Sequence, residues 1–117
     1  MMRKIVKKEN VFGGEGTVLF EYLLNEEQLN NMCRLYAKVT LMPGSSLGYH
    51  EHTGESETYY ILSGTGTYMN TKKEETEVMP GDVTFTASGE GHGIKNIGSE
   101  KLVLMALIIY DEKRVQS

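Results

Sequence analysis

No stretch of this 117-residue chain carries a sustained helical period; apolar and polar residues alternate instead, and turn residues interrupt them every few positions. Met32–Met42 shows the pattern best. Leu35, Ala37, Val39 and Leu41 alternate there with Arg34, Tyr36, Lys38 and Thr40, which predicts a strand with one buried face. Further strands are expected over Val18–Leu24, Glu57–Ser63, Thr67–Thr71, Thr76–Met79, Val83–Thr86, from His92 onward, and over Leu102–Tyr110. Pro43-Gly44-Ser45-Ser46, Gly64-Thr65-Gly66, the charged tip Lys72–Glu75, Pro80-Gly81-Asp82 and Gly98–Lys101 supply the turns. Asn25–Asn31 reads as a polar loop or a single helical turn. Many short strands joined by frequent turns make an all-β sandwich or barrel.

All three histidines lie inside two spaced motifs. The first is Gly44-x5-His50-x-His52-x4-Glu57-x6-Gly64, and the second is Gly81-x5-Ala87-x-Gly89-x2-His92-x3-Asn96. Imidazole nitrogens with a carboxylate suit a borderline divalent ion. On a strand, His50 and His52 leave by the same face.

These spacings resemble the two motifs of the cupin superfamily, specifically its small single-domain, cupin 2-type conserved barrel proteins. Every motif position is filled except one, where Ala87 stands in place of a proline that shapes a turn. The motifs span residues 44–64 and 81–96, and the strand pattern carries the likeness over most of the remaining chain. The resemblance implies a double-stranded β-helix (jelly-roll) barrel as one domain over residues 1–117. It implies His50, His52, Glu57 and His92 as ligands of one divalent ion per chain: Mn, Fe, Ni or Zn. In such a barrel His50, His52 and Glu57 are expected to project inward from two neighbouring strands, with His92 reaching in from a third. Four ligands on an octahedral ion leave two positions open for water, substrate or dioxygen, as a catalytic rather than a closed structural site requires. Metal affinity should weaken as pH falls through the histidine range, near 6.5.

The neighbours of these residues carry less information. Glu51 lies between two inward histidines and should face solvent. Glu55 is a candidate acid, base or supporting residue, its direction unreadable in the bend before Glu57. Tyr59 shares the inward face of Glu57 by alternation and is a candidate to line the pocket; Tyr49 and Tyr60 add hydroxyls near its mouth. Asn96 and the motif glycines read as structural, and Cys33 as a small buried apolar residue. Met69, Met79 and Met105 read as core filler, and Gly13–Gly16 as a turn, since no GK[ST] follows. No Ser-His-Asp or Cys-His triad can be assembled once each histidine is assigned to metal.

The bulk properties narrow the partners. A formal charge of −4 makes nucleic acid a poor partner, and Arg3, Lys4, Lys7 and Lys8 read as a solvated tail. The longest apolar run, Leu102–Tyr110, is too short to span a membrane as a helix. One cysteine and no secretory signal fit a cytoplasmic location. Residues 111–117 read as a flexible tail. Small cupins are commonly dimers whose N-terminal strands pair with the partner, a role the first twenty-odd residues are placed to fill. An alternating face such as Val18, Phe20 and Tyr22, which one barrel would leave uncovered, leads to the same expectation of a homodimer. Two functions follow from the resemblance. One is a metal-dependent enzyme of the dioxygenase, decarboxylase or isomerase type, acting on a small polar molecule or carboxylate. The other is a non-catalytic module that binds a small molecule or sugar.

Overall fold

A computed structural model describes residues 3–114. Ten strands are present among them: β1 (Lys4–Glu9), β2 (Thr17–Tyr22), β3 (Cys33–Leu41), β4 (Ser46–Glu51), β5 (Glu55–Ser63), β6 (Gly66–Met69), β7 (Glu75–Val78), β8 (Val83–Thr86), β9 (Gly91–Asn96) and β10 (Leu102–Tyr110). They form a six-stranded sheet in the order β1-β2-β3-β10-β5-β8 and a four-stranded sheet in the order β4-β9-β6-β7. All the pairings are antiparallel. The two sheets face each other as a jelly-roll barrel, so the predicted all-β class holds. One short helix, α1 (Glu26–Leu29), occupies the segment read as a loop or helical turn. Asn25 starts it with a capping box: its side chain accepts from the Gln28 amide, and the Gln28 side chain accepts from the Asn25 amide.

The core fills the space between the sheets. Val18, Ala37, Val39, Leu41, Ile61, Leu102, Leu104 and Ala106 are at most 1 % exposed, which matches the alternation read from β3. Strand β10 is apolar at every position: Leu102, Leu104, Ala106 and Ile108 are buried in the core, whereas Val103, Met105, Leu107 and Ile109 on the outer sheet face are half-buried or exposed. Asn96 is buried and structural: its amide donates to the carbonyls of Leu41 and Glu100, and its Oδ1 accepts from Gly98 N. The Ala87 departure from the motif has a structural counterpart. Ala87 N donates to Glu90 Oε1 at 2.8 Å, a bond that a proline could not make.

Several expectations are corrected. Arg3, Lys4, Lys7 and Lys8 are no tail: Lys4, Lys7 and Lys8 lie on edge strand β1, paired with β2 from Lys4↔Tyr22 to Glu9↔Thr17, and Arg3 precedes it. Too polar to read as a strand, this segment is held by backbone pairing, not by burial. Val18 and Phe20 do not form an uncovered face, because the opposite sheet buries both. Met69, Met79 and Met105 are not core: Met79 is exposed, and Met69 and Met105 are half-buried. Cys33 is half-buried, not fully. Asp111–Arg114 are exposed, yet Asp111 N donates to Gly54 O and Arg114 N to Asn31 O; the last three residues of the expected tail lie outside the described residues. No helix among the described residues is long and apolar enough to cross a membrane.

Candidate metal centre

The site lies between the sheets, and both contribute to it. His50 lies near the end of β4, one residue before its last, and sits directly opposite His92 of β9 in the four-stranded sheet. His52 follows one residue beyond β4, where His52 N donates to Glu90 O and His52 O accepts from Gly89 N. Glu57 comes from β5 in the six-stranded sheet, not from a strand beside β4 as the sequence suggested; it faces the histidines across the barrel. A register shift between Leu47 and His50 inserts one residue, so Leu47 and His50 both line the interior despite their odd spacing.

One donor atom from each of the four residues falls in a cluster with no pair more than 4.8 Å apart. Glu57 Oε1 lies 2.9 Å from His92 Nε2, 3.0 Å from His52 Nε2 and 4.0 Å from His50 Nε2, and the Nε2 atoms of His52 and His92 are 3.1 Å apart. The outer ring atoms of two histidines are assigned by their partners. His50 Nδ1 donates to Gly48 O at 2.7 Å, and His52 Nδ1 donates to Glu55 Oε2 at 2.6 Å. Their Nε2 atoms therefore turn lone pairs inward, toward a carboxylate oxygen. A cation satisfies such a set of converging lone pairs, and the separations near 3 Å match adjacent ligands at bond lengths of about 2.1 Å. The donors thus fit one divalent ion.

The protonation balance agrees. Burial alone would push the Glu57 carboxyl up, but the His50, His52 and His92 rings outweigh it and hold it far below the usual carboxylate range. Its hydrogen bond to Glu57 raises His52 against the opposing effect of burial, and Glu55 adds to the rise. Burial lowers His92, more than Glu57 can compensate. Tyr59 is 1 % exposed and stacks on the His92 ring with centroids 4.8 Å apart; burial raises its hydroxyl well above the ordinary value, so it stays protonated. That hydroxyl is 3.5 Å from His92 Nε2.

Glu55 shares the inward face of Glu57 because β5 begins at Glu55, leaving no bend to turn it. It holds His52 through Oε2 while Arg34 grips both its oxygens at 2.7 Å. Burial opposes the Glu55 charge, but Arg34 and His52 win and keep its pKa below the ordinary value. Arg34 escaped the sequence reading. Strict alternation sends it outward with Tyr36 and Lys38, but the register jumps from Leu35↔Ile108 to Cys33↔Ile109, and this bulge re-aims the guanidinium at Glu55. Two further partners were also missed: Tyr68 and Thr86, whose hydroxyls lie 3.0 and 2.8 Å from His92 Nδ1. Phe12, at a left-handed backbone position, stacks on His50 at 3.8 Å. Glu51 is exposed as expected. Tyr60 lies on the outer sheet face, and the Tyr49 hydroxyl is engaged by Thr71 O; neither lines the cavity.

That cavity has a volume of about 230 Å³, and His50, His52, Glu57 and Tyr59 form part of its wall. At about 30 Å³ per water, it holds on the order of eight waters, so its occupant is small. Lys8 and Arg34 contribute basic groups to the wall, and Phe12, Phe20 and Tyr22 contribute aromatic ones.

A barrel of two antiparallel sheets with a three-histidine, one-carboxylate cluster between them defines a cupin. The chain belongs to that family: the Cupin domain model matches residues 37–110. The oxalate-binding protein of Thermotoga maritima is 46% identical over 100 residues, covering 86% of this chain and 82% of the relative. The crystal structure of a predicted oxalate decarboxylase from Thermotoga maritima superposes with a TM-score of 0.88 at 40% identity, covering 94% of this chain and 99% of that one. A Cupin 2 conserved barrel domain protein from Salinispora arenicola shares the fold, with a TM-score of 0.69 at 20% identity over 80% of this chain and 76% of that one.

Proposed function

We propose that this cupin binds a small dicarboxylate, of the size of oxalate, at one divalent metal ion held by His50, His52, Glu57 and His92. The convergence of three imidazole nitrogens and one carboxylate oxygen in a small cavity with basic groups in its wall carries this reading. The name of the 46% identical relative supports the choice of ligand. Mn, Fe, Ni and Zn all suit the donors. When bound, the ion supplies positive charge and open coordination positions for the oxygens of the ligand. Glu55 fixes the His52 ring, Gly48 O fixes His50, and Tyr68 with Thr86 fixes His92.

Binding without turnover takes precedence because Glu55, the carboxylate next to the ligands, is already committed to Arg34 and His52. A catalytic reading is favoured by one observation: the neutral Tyr59 hydroxyl lies in the wall of the same cavity and is a hydrogen-bond donor for charge that develops on a reacting carboxylate. The first measurement is metal content by inductively coupled plasma mass spectrometry, on protein purified without chelator or histidine tag. About one ion per chain is expected, followed by oxalate binding in calorimetry. No uptake of Mn, Fe, Ni or Zn on incubation would overturn the reading. Carbon dioxide or formate release from oxalate by the loaded protein would replace the binding reading with the catalytic one.

The chain also acts as a homodimer in this proposal, through the outer face of the six-stranded sheet. Tyr60, Leu62, Val83, Phe85 and Ile109 are 41 to 63% exposed there, and Tyr60↔Val83 and Thr58↔Phe85 are register neighbours.

A further inference from the structure

We infer that Lys8 recognises the ligand, holding the carboxylate that points away from the metal. This rests on the reading of the centre as a dicarboxylate site. Lys8 pairs with Val18 across the β1–β2 ladder, and Val6 pairs with Phe20. Val18 and Phe20 are buried between the sheets, so Lys8 shares the inward-facing side of β1. It lines the same cavity as His50, His52 and Glu57. Its ammonium sits 5.0 Å from the centroid of the Phe20 ring, on the cavity wall. Lys7, the next residue, faces the other way and lies 3.9 Å from Glu9.

Charge then selects the ligand class. Arg34, the other cation in the wall, is neutralised by its two bonds to Glu55. Among the described residues, no carboxylate lies within ion-pairing distance of Lys8, whereas Arg3, Lys7, Arg34 and Lys95 each have one. A divalent ion, less the charge of Glu57, leaves one positive charge at the cluster, and Lys8 adds a second in the cavity wall. A dianion with two carboxylates meets both charges; a monocarboxylate meets only the first. The small cavity keeps the two carboxylates close together, which favours short dicarboxylates over long ones.

The test uses full-length protein loaded with Mn, its metal content verified, and titrates sodium oxalate and sodium formate by calorimetry at low ionic strength. Lys8→Met should weaken oxalate roughly five- to tenfold and formate less than about twofold, as expected for one partly solvated charge contact. Lys8→Arg should keep most of the affinity. Lys7→Met removes the same net charge from the opposite face and should change nothing. Added NaCl should weaken oxalate binding less steeply in Lys8→Met than in the wild type. Equal oxalate affinity in Lys8→Met and Lys7→Met would overturn the assignment and leave the metal site standing. A larger solution mass for Lys8→Met at unchanged oxalate affinity would also overturn it, placing the residue as a guard of the sheet edge. Wild-type protein that takes up Mn but no oxalate would overturn the dicarboxylate reading and the role of Lys8 with it. Where Lys8→Met does not fold, Lys8→Arg and the salt dependence of the wild type decide.

Discussion

Residue by residue, the candidate metal centre depends on groups that are not themselves among its four donors. Glu55 orients His52 and in turn needs Arg34 to remain charged in a buried place. Glu55→Gln should therefore lower metal affinity by about 10- to 100-fold, as loss of such outer partners does, with the fold retained by circular dichroism. Unchanged metal affinity would show that the His52 ring holds its orientation without Glu55. pH acts on the same ring. In the metal-free protein His52 is raised by Glu57 and Glu55, so its imidazolium stabilises the fold fully below the ordinary histidine pKa. That contribution is lost as pH rises through the raised value. Metal needs the neutral ring, so proton and metal compete there, and metal retention should fall as pH is lowered from about 8 to about 5. Retention that stays flat over this range, followed by metal analysis after dialysis, would count against histidine ligation.

At the level of elements, the loop between β8 and β9 shows how a departure from a family pattern can be locally consistent. With proline absent at position 87, the freed amide is bonded to the Glu90 carboxylate, and Glu90 N donates back to Ala87 O. Ala87→Pro would remove that bond to a charged group while reducing the entropy of the unfolded chain, and the two effects oppose each other. A net loss of about 1 kcal/mol is expected in denaturant unfolding. In the background of Glu90→Ala, where the bond no longer exists, the same substitution should be neutral or stabilising. A stabilising effect in both backgrounds would mean that the Glu90 bond adds nothing. Bulges are the other decisive local devices. One turns Arg34 toward Glu55, and one aligns His50 with Leu47 on the interior.

For the whole molecule, the two outer faces differ. The outer face of the six-stranded sheet carries Tyr60, Leu62, Val83, Phe85 and Ile109, whereas Glu75, Glu77 and Lys95 are exposed on the four-stranded sheet. An apolar face of this kind suits an isologous contact between two copies. Light scattering should give twice the 13.1 kDa chain mass. Phe85→Glu should return it to that of one chain with the metal centre intact, because Phe85 lies outside the cavity. A monomeric wild type would refute the contact, and a dimeric Phe85→Glu would move it elsewhere. Val18 and Phe20 contribute nothing to such a contact, since both are buried in the core; alternation shows that a face is apolar but not which layer covers it.

The chain by itself determined the all-β class and most strand positions, because strand periodicity is local, and its two motifs resembled those of a family whose ligand set implied the four donors that the structure brings together. It also placed Tyr59 on the inward face of Glu57, where burial confirms it. Only the tertiary structure decided the rest. That Glu57 meets the histidines from the opposite sheet depends on sheet order, which no local pattern encodes. Strand β1 is visible only through its partner, since its own residues are too polar to announce a strand. Arg34 reaches Glu55, and both Leu47 and His50 reach the interior, because single inserted residues break the period on which the sequence reading relied.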